Sequence, residues 1–231
     1  MAEFAPRRIL CPVDFSDYSA VALSVAGNLA WSFGAEIRVL HAQRVDAPVY
    51  FTSAQIQALK KQYGRSLRGA RKFVEDFAAR HLAHDVRRSV RLVEREPVDA
   101  ILRMHKEWDA DLVVMSTHGR TGLTRIRLGS VMESVLRQTT GPILTVGPPI
   151  TTAPRPIRRI LSPVNFSELS QKALAYSVDL GSRVGAEVTA MHVTDGPPAA
   201  SRDAQAALCH WIPPAARRRC NLREVIREGK T

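Results

Sequence analysis

Cysteine is scarce in this chain of 231 residues: there are three, Cys11, Cys209 and Cys220. They are too few and too scattered for a disulfide framework or a zinc knuckle. A reducing compartment, the cytoplasm, is the expectation. Aromatic residues make up only 6% of the sequence, which leaves little for the stacking platforms of single-strand nucleic-acid binders. Acidic residues are outnumbered, 22 against 33 Lys plus Arg, for a formal charge of +11. That excess is spread along the chain, +6 up to Ile150 and +5 beyond it. A spread charge favours general adhesion to anionic partners over a dedicated nucleic-acid patch. A nucleic-acid-associated basic protein therefore remains only a minor alternative. No basic segment followed by an apolar one opens the sequence, so no signal peptide is expected.

Long apolar runs are also missing, with one near exception. Residues 18–35, YSAVALSVAGNLAWSFGA, carry no charge. Ser19, Ser24, Asn28 and Ser32 recur inside this stretch. Val21, Val25, Leu29 and Phe33 share a helical face with Ala22, Ala26 and Ala30. That pattern predicts a buried amphipathic helix rather than a membrane span. What remains is 45% hydrophobic and 24% charged, the composition of a globular chain with enough length to form a core.

The sequence repeats itself. PRRILCPVDFS at residues 6–16 returns as IRRILSPVNFS at 157–167. At the same offset of 151, Phe33-Gly34-Ala35-Glu36 matches Val184-Gly185-Ala186-Glu187, and His41 matches His192. More than thirty residues align without an insertion, so the chain is a tandem duplication. The copies are joined by the proline-rich GPPITTAPRP at 147–156, a stiff linker. The expected domains are 1–147, a linker at 148–157, and a shortened second copy at 158–231.

In the first copy, strands are predicted at 7–13, 36–43, 87–94, 111–116 and 143–146. Helices are predicted at 17–33, 53–81, 98–107 and 130–138. Alternating strands and helices, with strands that read as continuous apolar runs, predict an α/β fold. Its five-stranded parallel sheet is open and carries helices on both faces. The second copy supplies strands at 158–164, 187–193 and 223–227. It has a helix at 169–184 and a helical piece at 203–219 broken by Pro213-Pro214. Counterparts of the fourth and fifth strands are absent from the sequence. The first strand of this copy is therefore expected as an uncovered edge bearing Ile160, Leu161 and Val164. Such a copy is expected to be poorly stable alone or completed by another chain.

Two segments carry chemistry. Met115 to Ser130 reads MSTHGRTGLTRIRLGS, running from a strand into a helix. Gly119 permits a tight turn. Gly129 and Ser130 open a helix, where unpaired N–H groups and the dipole favour an anion. Arg120, Arg125 and Arg127 add positive potential. The loop has the makings of a phosphate cradle; the alternative is a plain glycine-bearing loop with Ser130 as N-cap. The second segment is Pro12-Val13-Asp14-Phe15-Ser16. A carboxylate at the end of a strand can accept hydrogen bonds from a ribose or an adenine amino group. It can equally hold the local turn with Ser16. No Ser/His/Asp or Cys/His arrangement suggests nucleophilic catalysis. Cys11 is expected to be buried and inert, whereas Arg217, Arg218 and Arg219 could lower the pKa of Cys220. The clusters Arg65-Arg68-Arg71-Lys72 and Arg217–Arg219 have the spacing of solvated faces.

The strand end PVDFS, the strand end VLHA at 39–42 and STHG followed by nine residues and GS resemble the universal stress protein family. The resemblance covers nearly all of the first copy and the front half of the second. It implies a Rossmann-like sheet of the adenine nucleotide alpha hydrolase kind, with strand order 3-2-1-4-5, and homo-oligomers or pairing of the two copies. The family's ATP-binding pattern is G-x-x-G, nine residues, then G and S/T. Gly119, Gly129 and Ser130 match it, while Ser116 stands in place of the first glycine. The resemblance implies that Asp14 contacts adenine or ribose, with Pro12 and Val13 lining the base pocket. Ala42 would meet adenine through its backbone, and Met115 and Ser116 would flank the ribose. Thr117, His118, Gly119, Gly129, Ser130 and Val131 would surround the phosphates of ATP, with or without Mg2+. The implied role is regulatory in stress response, with slow ATP hydrolysis at most. The alternative is an ATP-independent interaction protein. The second copy has Asn165 in place of Asp14 and no phosphate loop, so it is expected to bind no nucleotide.

Overall fold

A computed structural model of the chain describes residues 4–43, 69–118, 129–147, 156–195 and 198–229. Contacts divide the chain into two compact units, one within Pro6–Pro154 and one formed by Arg155–Thr231 together with Met1–Ala5.

The first unit contains β1 (Arg8–Pro12), α1 (Asp17–Phe33), β2 (Glu36–Gln43), a helix α2 at 69–81 and β3 (Arg88–Glu94). α3 (Pro97–Glu107), β4 (Leu112–Ser116), α4 (Ser130–Gln138) and β5 (Ile143–Val146) follow. The predicted helix at 53–81 is thus seen from 69 onward; its earlier part lies outside the described residues. All five strands are parallel, in the order β3-β2-β1-β4-β5. Leu10, Leu40 and Val113 form a core with Ala100, Ile101, Met132 and Val135, which α3 and α4 supply.

Local signals set the ends of α1. Ser16 is the N-cap, its hydroxyl accepting from the Ser19 amide at 3.2 Å. Gly34 ends the helix in the left-handed region, φ 66°, where a β-carbon would be strained. The buried face is narrower than the sequence pattern predicts. Ala22, Leu23, Ala26, Gly27, Leu29 and Ala30 are buried, while Val21, Val25 and Phe33 lie half-exposed at its margin. The small residues decide this, because they let the helix pack closely. A β-carbon at Gly27 would come within 2.8 Å of the Leu82 side chain. No helix among the described residues is long and apolar enough to cross a membrane.

The second unit repeats the opening of the first. β6 (Arg159–Pro163), α5 (Glu168–Val184) and β7 (Glu187–Thr194) are followed by α6 (Pro198–Trp211), α7 (Pro214–Arg219) and β8 (Leu222–Glu228). The three strands form a separate parallel sheet ordered β6-β7-β8. β6 is therefore an edge, as expected, but its residues differ in exposure. Leu161 is 58% exposed, Ile160 is half-buried, and Val164 is buried in the core with Leu174, Val178, Val188 and Leu208. Phe4 belongs to this unit. Its amide donates to Asp179 Oδ2 at 2.7 Å, and its ring lies 5.0 Å from that of Tyr176.

Cys11 and Cys220 are held in the thiol form by burial. Burial pushes the Cys11 thiol far up. Burial also raises Cys220, outweighing the opposing pull of Arg219. The expected lowering by the arginine cluster therefore fails. Arg217 is engaged elsewhere, donating to Glu224 Oε1 at 2.6 Å and to the Ile212 carbonyl at 2.8 Å.

Candidate functional site

Strand order reverses between β1 and β4, where ligands of open α/β sheets bind beyond the strands' carboxyl ends. A cavity of about 300 Å³ lies there. Eleven of the twelve residues expected to bind nucleotide line it. Pro12, Val13 and Asp14 come from the end of β1, Ala42 from β2, and Met115 to His118 from β4 and the residues after it. Gly129, Ser130 and Val131 come from the start of α4. The twelfth, Gly119, and the arginines of 120–128 lie outside the described residues. Ser19, Leu40, Pro97, Ile101 and Met132 line the cavity as well, without having been expected. Pro97 and Ile101 are one turn apart on the face of α3 that meets the sheet. The sequence places them only in the helix predicted at 98–107 and at its start.

The β1–α1 turn is built around Asp14. Its Oδ1 accepts from the Ser16 amide at 3.0 Å and from the Ser16 hydroxyl at 2.6 Å. Phe15 is left-handed, φ 65°, an uncommon state for a bulky residue. The Phe15 ring packs 4.3 Å from His41 and edge-on to Phe73 and Phe77. His41 Nδ1–H donates to the Val13 carbonyl at 2.8 Å, which ties β2 to the turn. Asp14 thus holds the turn and also faces the cavity, so the two sequence readings of it are compatible.

The opposite wall is the start of α4. Gly129, not Ser130, is the N-cap, and no side chain caps the helix. Among the described residues no side chain accepts from its first amides, the arrangement that suits an anion. The Gly129 amide donates to the Thr117 carbonyl at 2.8 Å, and the Thr117 amide to the Val146 carbonyl at 2.9 Å. Helix start, β4 end and β5 are fixed together by these bonds. Ser116, at the end of β4, lines the cavity. Its hydroxyl turns back and donates to the His118 carbonyl at 2.7 Å. His118 Nδ1 lies 2.9 Å from Thr117 Oγ1, and its ring is 5.7 Å from that of Tyr18.

The second unit keeps the turn. Asn165 Oδ1 accepts from the Ser167 amide at 3.2 Å and its hydroxyl at 2.6 Å, and Phe166 is left-handed at φ 62°. His192 Nδ1–H donates to the Val164 carbonyl at 2.7 Å. The depression beside these residues is bounded by Pro163, Asn165, Leu169 and Met191. Among the described residues, nothing there corresponds to β4 or the start of α4. Nor does any group of three or more His, Cys, Asp or Glu side chains among them have the arrangement of a metal site.

A doubly wound parallel sheet with a crevice at its switch point, repeated in part, defines a Rossmann-like nucleotide-fold class of protein. The model of the universal stress protein family matches residues 6–147 and 156–208. The chain belongs to that family. A universal stress protein of Methanocaldococcus jannaschii is 32% identical over 148 residues, 62% of this chain and 83% of that protein. One from Bacillus subtilis is 29% identical over 152 residues, 61% of this chain and 98% of its own length. The crystal structure of a universal stress protein from Archaeoglobus fulgidus superposes with a TM-score of 0.63 at 19% identity. That match covers 99% of this chain and 79% of the other, and it shows the shared fold.

Proposed function

We propose that the first unit binds ATP and that the protein acts as a nucleotide-dependent regulator in stress response. The observation that carries this reading is the composition of the switch-point cavity. One wall is apolar, with Val13, Leu40, Ile101 and Met115, and accepts a base. A carboxylate, Asp14, stands at one side, where ribose hydroxyls or an amino group donate to it. An uncapped helix N-terminus stands at the other, where phosphate oxygens accept from backbone amides. The hydroxyl of Ser116 leaves room for the sugar, because it is spent on the loop's own backbone.

The test is calorimetric titration of the whole chain with ATP. Heat that saturates at micromolar ATP is expected. Asp14→Asn should weaken binding about tenfold, the scale of one charge-assisted hydrogen bond. Asn165 already shows that an amide supports the same turn, so the loss reports on the missing charge and not on misfolding. Absence of heat at high micromolar ATP would overturn the reading in favour of an ATP-independent interaction protein.

A further inference from the structure

Three neighbouring strands of the first unit each carry an arginine in their first half: Arg8 on β1, Arg38 on β2 and Arg91 on β3. Side chains alternate along a strand. Arg38 therefore shares a face with Leu40, and Arg91 with Val93, both of which pack in the core with α3. Arg8 is paired. Its guanidinium donates to the Trp108 carbonyl at 2.6 Å and lies 3.3 Å from the Asp109 carboxylate. Arg38 and Arg91 have no such carboxylate among the described residues, and the Arg91 side chain is exposed.

Arg38 is half-buried, and the groups that hold its guanidinium carry no charge. Its Cζ lies 4.2 Å from the centroid of the Trp108 ring. Nε donates to Ser89 Oγ at 3.3 Å, and Nη1 to Met104 Sδ, a weak acceptor, at 3.7 Å. The Ser89 hydroxyl donates in turn to Glu36 Oε1 at 3.2 Å, so it separates Arg38 from that carboxylate. Burial holds the Arg38 pKa below its usual value and the charge of Arg91 adds to this, with Glu36 opposing and Arg8 reinforcing. Positive charge is therefore in excess here. A guanidinium stacked on an indole keeps its in-plane N–H fork for an oxyanion. Met104, which touches Arg38, also lines a groove of about 340 Å³ beside β3 and α3. Val93 and Ala100 give that groove an apolar wall, and Arg95 and Arg103 line it while paired to Asp99 and Glu107, each at 2.6 Å.

We infer that Arg38 and Arg91 bind the phosphate group of a small, hydroxyl-rich phosphate monoester whose remainder lies in the groove beside β3 and α3. A carboxylate would neutralise only one of the two arginines. A phosphate monoester carries nearly two negative charges at neutral pH and has oxygens enough for both. Arg38 supplies a fork of fixed direction, and the exposed Arg91 approaches from the neighbouring strand. The ion-paired side chains along the groove offer donors and acceptors to hydroxyl groups. This site is separate from the switch-point cavity. Met104 and Trp108 follow Ile101 by about one and two helical turns along α3 and its C-cap, away from the strands' carboxyl ends where the cavity lies.

Glucose 6-phosphate is the probe, titrated at constant ionic strength into the isotope-labelled whole chain and followed by NMR. The Arg38 Nε–H and Trp108 indole signals should shift and saturate in the millimolar range. Inorganic phosphate should move the same signals with about tenfold lower affinity, and glucose should not move them. Arg91→Gln should weaken binding about tenfold. Arg38→Lys keeps the charge but loses the fork, and should weaken it by a similar factor. A thermal melt checks both variants. If Arg38→Lys unfolds, the exposed Arg91→Gln carries the test. Gly129→Phe, at the switch-point cavity, should leave the shifts as they are. Shifts reproduced by sodium chloride alone, acetate or glucose binding as tightly as the phosphate ester, or an affinity indifferent to Arg91→Gln overturn the inference. So does loss of the shifts in Gly129→Phe, which would place the phosphate in the switch-point cavity instead.

Discussion

Gly129→Phe should abolish the proposed ATP binding and leave the fold of the first unit intact. Gly129 is the N-cap of α4 and lines the cavity, and its amide is bound to Thr117. Its φ of −60° is ordinary for any residue, so a side chain there costs little in backbone strain. The damage falls on the ligand. An aromatic ring at the helix start stands where phosphate oxygens must approach the amides of Ser130 and Val131. A loss of at least about 100-fold is expected, equivalent to about 2.7 kcal/mol. Calorimetry with ATP measures it, and an unchanged thermal melt shows that folding is not the cause. A variant that binds ATP within a few-fold of the parent chain would remove α4 from the proposed site.

The second large effect concerns stability and contrasts two equivalent leucines. Leu10→Ala should destabilise the first unit by about 2–5 kcal/mol, the usual cost of a buried leucine truncated in a core that collapses poorly. Leu10 is wholly buried against Leu40, Ile101, Val113 and Met132. Leu161→Ala, at the same place in the repeat, should change the second unit by no more than about 0.5 kcal/mol. Leu161 is largely in water and has little transfer energy to lose. Denaturant unfolding of the two variants, fitted as two transitions because there are two compact units, separates the outcomes. Equal losses would mean that Leu161 is covered in solution.

Much of this fold is legible in the sequence because its signals are local. Ser16 and Gly34 mark the ends of α1, and Ser167 and Gly185 mark those of α5. The repeat places two strands of the second unit, β6 and β7, by analogy with the first. Most of the residues gathered at the switch point are legible through the family resemblance; Asp14, Gly129 and Ser130 are legible also from their place at a strand end or a helix start. The buried face of α1 was misjudged because packing favours small residues over large ones where helix and sheet approach closely. The orientation of Ser116 depends on where the His118 carbonyl falls, a tertiary relation that composition does not carry. Ile101 is a core residue and Pro97 a half-buried helix start; only the three-dimensional course of α3 brings them to a cavity. The thiol of Cys220 was misread because neighbouring arginines are visible in the sequence and burial is not.

The left-handed phenylalanine of the β–α turn recurs in both units, at Phe15 and Phe166, each stacked on a histidine bound to the preceding strand end. One of these turns borders the switch-point cavity and the other does not. The molecule therefore contains its own control experiment. Features present in both copies, such as the strained phenylalanine, the capping serine and the histidine clasp, are requirements of the scaffold. Features present once, such as the charge on Asp14 and the open helix end after β4, are free to answer to a ligand. A variant library read across the two halves would sort architecture from recognition without reference to any other protein.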